Sequence, residues 1–280
     1  MSNTFKTVAL LGLLTGLIVL IGDAVGGRQG MVIAFLLAAL MNFGAYWFSD
    51  RIVLAMYRAK ALPEADAPKL YRMMRELAQQ ARLPMPRLSL IPTATPNAFA
   101  TGRSPERATV TVTEGLLRIL DEEELEGVLA HELAHVKNRD MLTMTIAATL
   151  AGVVVMLARM ALWFPVAGER DQEGRGSGVL GVIVLAILAP LAATLIQLAI
   201  SRSREFQADE TGARITRKPW ALANALEKLE WASKRLPLEA NPATAHLFIV
   251  NPLRGRGLFS LFMTHPPIQA RVSRLRAMKG

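Results

Sequence analysis

The sequence predicts a mainly α protein of the α+β class, with four hydrophobic helices in a membrane and a polar domain carrying a small β-sheet. Three observations predict it. Four apolar segments approach the ~20 residues that cross a bilayer as a helix. Two alternating runs rich in β-branched residues lie in the polar part. Beside them runs a long helix-period stretch with a capping signature at its start. Composition agrees, since 52% hydrophobic residues and a mean hydropathy of +0.30 are high for a soluble domain.

Residues 1–50 are expected to form a membrane hairpin. Its apolar arms run from about Thr7 to Gly22 and from about Met31 to Phe48. Lys6 before the first arm and Ala24-Val-Gly-Gly after it have the look of a secretory signal. A second apolar stretch beginning within ten residues argues instead for a hairpin. Residues 141–200 predict a second hairpin, with arms from Met141 to about Val166 and from about Val179 to Ile200. Arg51, Arg58, Lys60, Lys137, Arg139, Arg202 and Arg204 flank one side of these spans, whereas the loops on the other side are nearly neutral. By the positive-inside rule, both termini and the large polar segments belong in the cytoplasm. The net charge of +9 is then topogenic and also attracts anionic lipid. Nucleic acid is not an expected partner, because the basic residues are dispersed and no nucleic-acid motif accompanies them.

The polar segments 51–140 and 201–280 read as two parts of one domain, to which the motifs they carry assign catalysis. Pro68 to Arg82 predicts an amphipathic helix, with Leu70, Met73, Met74, Leu77 and Ala81 as core and Asp66 as its cap. Arg87–Ile91 and Ala108–Thr113 predict strands, and Thr95–Gly102 a turn followed by a third short strand. A strand beside a catalytic site can pair with an extended peptide through main-chain bonds; an ordinary hairpin is the other reading. Asp121 then caps a single helix over Glu122–Asp140, with Glu124 at the capping-box position.

That helix contains His131-Glu132-Leu-Ala-His135. Residues four apart share a helical face, so both imidazoles can hold one metal ion while Glu132 reaches a water on it as general base. With no Cys in the chain there is no thiolate metal site or disulfide framework, so the metal must be held by His and carboxylate. A gluzincin-like site takes a third protein ligand from a later helix. In Ser201-Arg-Ser-Arg-Glu-Phe-Gln-Ala-Asp209, Glu205 is the candidate ligand. Asp209, four residues on, would accept a hydrogen bond from the far nitrogen of a ligand His and fix its tautomer.

Pro219 opens another amphipathic helix, with Leu222, Leu226 and Leu229 along one side. Residues 237–263, punctuated by Pro, Asn and Gly, fit a core segment, a lid or a bilayer-dipping surface equally well. Thr264 to Arg271 starts a last helix with a basic end.

Taken in order, the apolar hairpin, Asn97-Ala-Phe-Ala, His131-Glu-Leu-Ala-His135, two more spans, Ser201 to Asp209, and Thr264-His-Pro-Pro with Arg271 resemble the HtpX heat-shock membrane proteases, relatives of the CAAX prenyl-protease family. The resemblance covers nearly the whole chain. It implies a multi-pass zinc endopeptidase of a bacterial inner membrane, holding one zinc ion per chain. Such an enzyme degrades damaged or misassembled membrane proteins at the cytoplasmic face, as protein quality control under stress. It places His131, His135 and Glu205 on zinc and Glu132 as the base. It also assigns Asn97, Ala98 and Phe99 to a substrate-binding strand, and His265 and Arg271 to a pair near the metal. His265 is then an oxyanion donor or, more plainly, a helix cap; His246 has no partner motif. One departure is Phe206, where many members have Tyr. Two other classes are a proteolytically silent zinc-stabilised adaptor, against which the intact Glu132 argues, and a transporter. For the latter only Arg159 lies within a span.

Overall fold

In the computed structural model of the chain the described residues are 3–150, 202–233, 235, 247–250 and 266–278. The first element, α1 (Asn3–Met56), is helical on either side of Gly27, whose φ of 55° and ψ of −148° break the helical path. That left-handed backbone is open to glycine at little cost, and it folds the element into the expected hairpin. The arms are tied by Asn42, whose amide donates to Thr15 Oγ1 at 2.8 Å and to the Leu11 carbonyl at 3.4 Å. Among the described residues, one helix, Gly26–Met56, is long and apolar enough to cross a membrane. It runs past residue 50, so its end stands clear of the ~20 residues that a bilayer needs.

A four-stranded mixed sheet follows, in the order β1 (Lys60–Ala61), β2 (Arg87–Ile91), β4 (Thr109–Thr113), β3 (Ala98–Thr101). β2 and β4 are parallel, and β1 and β3 are antiparallel to their neighbours. The three expected strands are present; β1 is too short to leave a period-2 signal. Strand alternation sorts the sheet into two faces. Leu88, Ala98, Ala100, Val110 and Val112 join the main core. Ile91 and Phe99 face the other way, onto Val53, Leu54 and Tyr57 at the end of α1 and its continuation.

Helix α2 (Pro68–Ala81) packs Leu70, Met74 and Leu77 into the main core, with Met73 against it, and buries Ala81, as its periodicity predicts. Its cap differs from expectation. Asp66 belongs to a 3₁₀ turn (Glu64–Asp66), and Ala67 caps α2 without a side-chain bond, because Pro68 already supplies a first-turn residue with no N–H to satisfy. After α3 (Glu114–Ile119) comes α4 (Glu122–Lys137), buried from Gly127 to Val136. A helix wrapped by the sheet, α2 and later helices has no solvated face, which is why its apolar stripe is weak. The expected helix over Glu122–Asp140 is in fact two. Arg139 adopts φ 57°, and α5 (Asp140–Leu150) starts afresh. α5 lays Ile146 and Leu150 against Ala45, Leu11 and Ile18 of the α1 hairpin. The rest of the second predicted hairpin, with Arg159, lies outside the described residues.

Among the described residues three more helices join the body: α6 (Arg202–Thr216), α7 (Pro219–Ser233) and α8 (Ile268–Ala277). α6 lies so close to α4 that a Cβ on Gly212 would come within 2.9 Å of the His131 backbone nitrogen. α7 clamps the start of α4, with Lys228 Nζ 2.6 Å from Glu124 and Lys218 Nζ bridging Glu123 and Glu126. The two polar parts of the sequence thus form one body around α4.

Candidate metal centre

The centre is built on α4, and the start of that helix is fixed by local chemistry. Glu124 N–H donates to Asp121 Oδ1 at 2.9 Å and Asp121 N–H to Glu124 Oε2 at 3.0 Å, the reciprocal capping box. One helical turn then separates His131 from His135, whose Nε2 atoms lie 3.2 Å apart. Glu205 of α6 completes the group, with Oε1 3.6 Å from His135 Nε2 and Oε2 4.0 Å from His131 Nε2. Ligand atoms of all three fall within 4.8 Å of one another. Two nitrogens at ~2.05 Å from a tetrahedral ion are ~3.3 Å apart, so the spacing suits zinc.

The outer nitrogens carry the decisive observation. His131 Nδ1 is 3.0 Å from Asp209 Oδ1, and His135 Nδ1 is 3.3 Å from Asp140 Oδ2. Each carboxylate calls for a proton on Nδ1, which leaves both Nε2 lone pairs pointing at each other. Such an arrangement is repulsive unless a metal ion or a shared proton sits between them, and a ligating site is one in which the metal takes the proton's place. The charges agree. Glu132, Asp140, Glu205 and Asp209 are all buried. Against these four carboxylates stand the buried Arg271 and the nearly buried Arg204. With neutral imidazoles the group is two positive charges short of neutrality, and a divalent cation supplies them.

Arg271 is the hub of the surrounding network. Its Nε donates to Asp209 Oδ2 at 2.8 Å and its Nη2 to Asp209 Oδ1 at 2.6 Å. Its Nη1 donates to the Ile249 carbonyl at 2.9 Å and lies 3.9 Å from Glu205 Oε2. Burial alone would raise the Asp209 carboxyl, but the Arg271 charge and hydrogen bonds outweigh it and hold it below the usual carboxylate range. Burial also works against a charged His135; the Asp140 hydrogen bond and the Glu205 carboxylate overcome it, and the ring is pushed up to about 9. An imidazole made that basic is a strong metal ligand once its proton is displaced. Glu132 moves the other way from Asp209. Burial pushes its carboxyl up, although His131 and His135 oppose this, and a base nearer neutrality is better matched to proton transfer.

Of the residues singled out from the sequence, His131, Glu132, His135, Glu205, Asp209 and Arg271 meet in this one place. Glu132 and the three potential ligands line one small cavity together with Ala100, Met144, Leu247, Phe248 and Ile249. Asn97, Ala98 and Phe99 sit at the start of β3 but not on that cavity, to which β3 contributes Ala100. The Asn97 amide is engaged with the chain itself. Its Oδ1 accepts from Ala98 N–H at 2.9 Å and Ile249 N–H at 3.1 Å, and its Nδ2 donates to the Val250 carbonyl at 3.4 Å. Phe206 points out of the centre, with the Arg274 guanidinium 3.9 Å over its ring. His265 and His246 lie outside the described residues. Sequence reasoning missed Asp140, which reaches back across the Arg139 break; the one available signal was a carboxylate just past the end of the ligand helix.

Two imidazoles and a carboxylate converging on one point, with a further carboxylate in the same cavity, match the ligand and base set of a metalloprotease. The family model for Peptidase family M48 matches residues 64–279, and the chain belongs to that family. It is 63% identical to a protease HtpX homolog of Syntrophobacter fumaroxidans, over 99% of this chain and 100% of that protein. It is 57% identical to a protease HtpX homolog of Pyrococcus furiosus, over 97% of this chain and 94% of that protein. Among solved structures it resembles Ste24p of S. mikatae, with a TM-score of 0.52 and 18% identity, over 98% of this chain and 65% of that one. That last likeness concerns the fold, mostly helical with a small mixed sheet.

Proposed function

We propose that the protein is an integral-membrane zinc endopeptidase that cleaves damaged or misassembled membrane proteins at the cytoplasmic face of a bacterial inner membrane. The observation that carries this reading is the pair of opposed Nε2 atoms, 3.2 Å apart and each backed by a carboxylate at Nδ1. His131, His135 and Glu205 would hold one zinc ion. When bound, zinc lowers the pKa of a water toward ~7 and polarises a carbonyl as a Lewis acid. Glu132 takes a proton from the attacking water on its carboxylate and later delivers it to the leaving amine. Asp209 and Asp140 keep the two rings in their ligating tautomers, while Arg271 holds Asp209 ionised. A purely structural metal site has no use for a base in the cavity, so the position of Glu132 favours hydrolysis over a silent adaptor.

Substrate would enter along β3. Thr113 N–H donates to the Asn97 carbonyl, so by antiparallel alternation the main-chain groups of Ala98 and Ala100 point away from β4, toward the outer edge. Ala100 lines the cavity, and an extended peptide added there binds through main-chain bonds that do not depend on its sequence. Such tolerance suits an enzyme that acts on many unfolded chains. The exposed apolar surface of α1, including Val32, Phe35, Leu36 and Leu40, supports placement in a bilayer, with the basic residues after it on the cytoplasmic side.

The test is cleavage of an unfolded membrane protein by the purified full-length chain in detergent. Activity should vanish on removal of metal with a chelator and return on addition of about one equivalent of zinc. Cleavage that survives chelation, or no cleavage at full zinc loading, overturns the reading.

A further inference from the structure

The cavity at the metal-binding group has a volume of only about 10 Å³, room for about one water molecule. His131, Glu132, His135 and Glu205 are all buried. A polypeptide cannot reach them unless something moves, and among the described residues Leu247, Phe248 and Ile249 line the cavity together with the metal-binding group. This segment is held as a bound peptide would be. Asn97 grips the backbone of Ile249 and Val250 with both ends of its amide, and Arg271 grips the Ile249 carbonyl. These bonds read main chain and ignore side chains. The side chain that is read is Phe248, whose ring stands edge-on to Tyr57 at 5.1 Å and to Phe99 at 5.5 Å, with Met144 in the same cluster.

We propose that the slot formed by Tyr57, Phe99 and Met144 is a subsite for an aromatic side chain of the substrate, and that Phe248 is its internal placeholder. This rests on the peptidase reading given above. Two arguments converge on it. First, a strand added to the β3 edge continues the pleat, so every second side chain falls on the face that carries Phe99, the face of the slot. Second, displacing Phe248 removes two edge-to-face ring contacts, and an incoming aromatic ring restores them in kind. An alanine at the same position restores nothing. Exchange is therefore favourable for aromatic substrates and unfavourable for small ones, and two such contacts correspond to a preference of about tenfold or more.

The experiment uses the full-length zinc-loaded chain in detergent and two short fluorogenic peptides, identical except that one carries a central Phe and the other Ala. The Phe peptide should show a kcat/KM about tenfold higher. Phe248→Ala, which empties the slot in advance, should raise kcat/KM for the Phe peptide further and for the Ala peptide much less. A second measurement does not depend on turnover or on that variant folding well. The chain has no native cysteine, so Leu247→Cys in a Glu132→Gln background reports the segment alone through its rate of maleimide labelling. Saturating Phe peptide should accelerate labelling at least severalfold, and the Ala peptide at the same concentration should not. Equal cleavage of both peptides, or labelling indifferent to the Phe peptide, makes Phe248 a fixed wall and overturns the proposal. Phe-dependent labelling in a chain that hydrolyses nothing would keep the slot and overturn the peptidase reading instead.

Discussion

From Gly127 to Val136, α4 buries every side chain, His131, Glu132 and His135 included, whereas α1 leaves Leu36, Leu37, Leu40 and Phe43 more than half exposed. The two helices invert the ordinary sorting of polar and apolar residues in opposite directions. Water as the sole surroundings explains neither. A buried cluster of carboxylates and imidazoles is costly without a cation, and a continuous apolar surface on this scale is an interaction face. The buried His131–His135–Glu205 group suits a divalent metal ion, and the apolar length of α1 suits a lipid bilayer. The join between them is structural. The end of α1 packs on the second face of the sheet through Val53 and Leu54, continued by Tyr57, so the apolar helix and the sheet beside the His–His–Glu group are packed together.

Substitutions that treat the two helices by the same rule should break the contrast. Arg271→Ala leaves Asp209 buried with its bidentate partner gone, and should lower stability by about 3–5 kcal/mol. Thermal unfolding of the solubilised protein measures this; a loss below 1 kcal/mol would show that the buried charges are not interdependent. Leu40→Lys places a charge in the middle of the apolar helix. If α1 lies in lipid, the cost is about 2.5–3.5 kcal/mol of insertion free energy, seen as a fall in the membrane-inserted fraction. On a water-facing helix the same change would stay within about 0.5 kcal/mol, and wild-type insertion would remove α1 from the bilayer. The smallest effect belongs to Asp140→Asn, which keeps shape but weakens the hold on His135 Nδ1. Zinc affinity should drop roughly 10–100-fold in a competition titration, and an unchanged affinity would make Asp140 a bystander.

Local interactions were legible in the sequence, and tertiary ones were not. The capping box spans three residues, the His131–His135 pair four, and Glu205–Asp209 four, so helical geometry alone placed them. The strands β2 and β4 followed from alternation and β-branching, and β3 from its place after the turn between them. Asp140 was missed because it acts across the helix break at Arg139, which no periodicity announces. Arg271 meets Asp209 across 62 positions, and only a family resemblance brought it into view. The role of Leu247–Val250 was hidden for a related reason. Its apolar run looks alike in a core, a lid or a bilayer surface, and what distinguishes them is the Asn97 amide, roughly 150 residues away.

The central claim is that the α4 cluster holds a metal for hydrolysis and not for stability alone, and a paired measurement on Glu132→Gln tests it most directly. Metal analysis and peptide hydrolysis are run on the same preparation. The account predicts about one zinc per chain, as in the unsubstituted protein, with hydrolysis reduced by at least the 10²–10⁴-fold typical of losing a general base. Glu205→Ala, in contrast, should lose the zinc itself. A Glu132→Gln chain that loses its zinc, or one that keeps it and cleaves at a near-normal rate, would contradict the account.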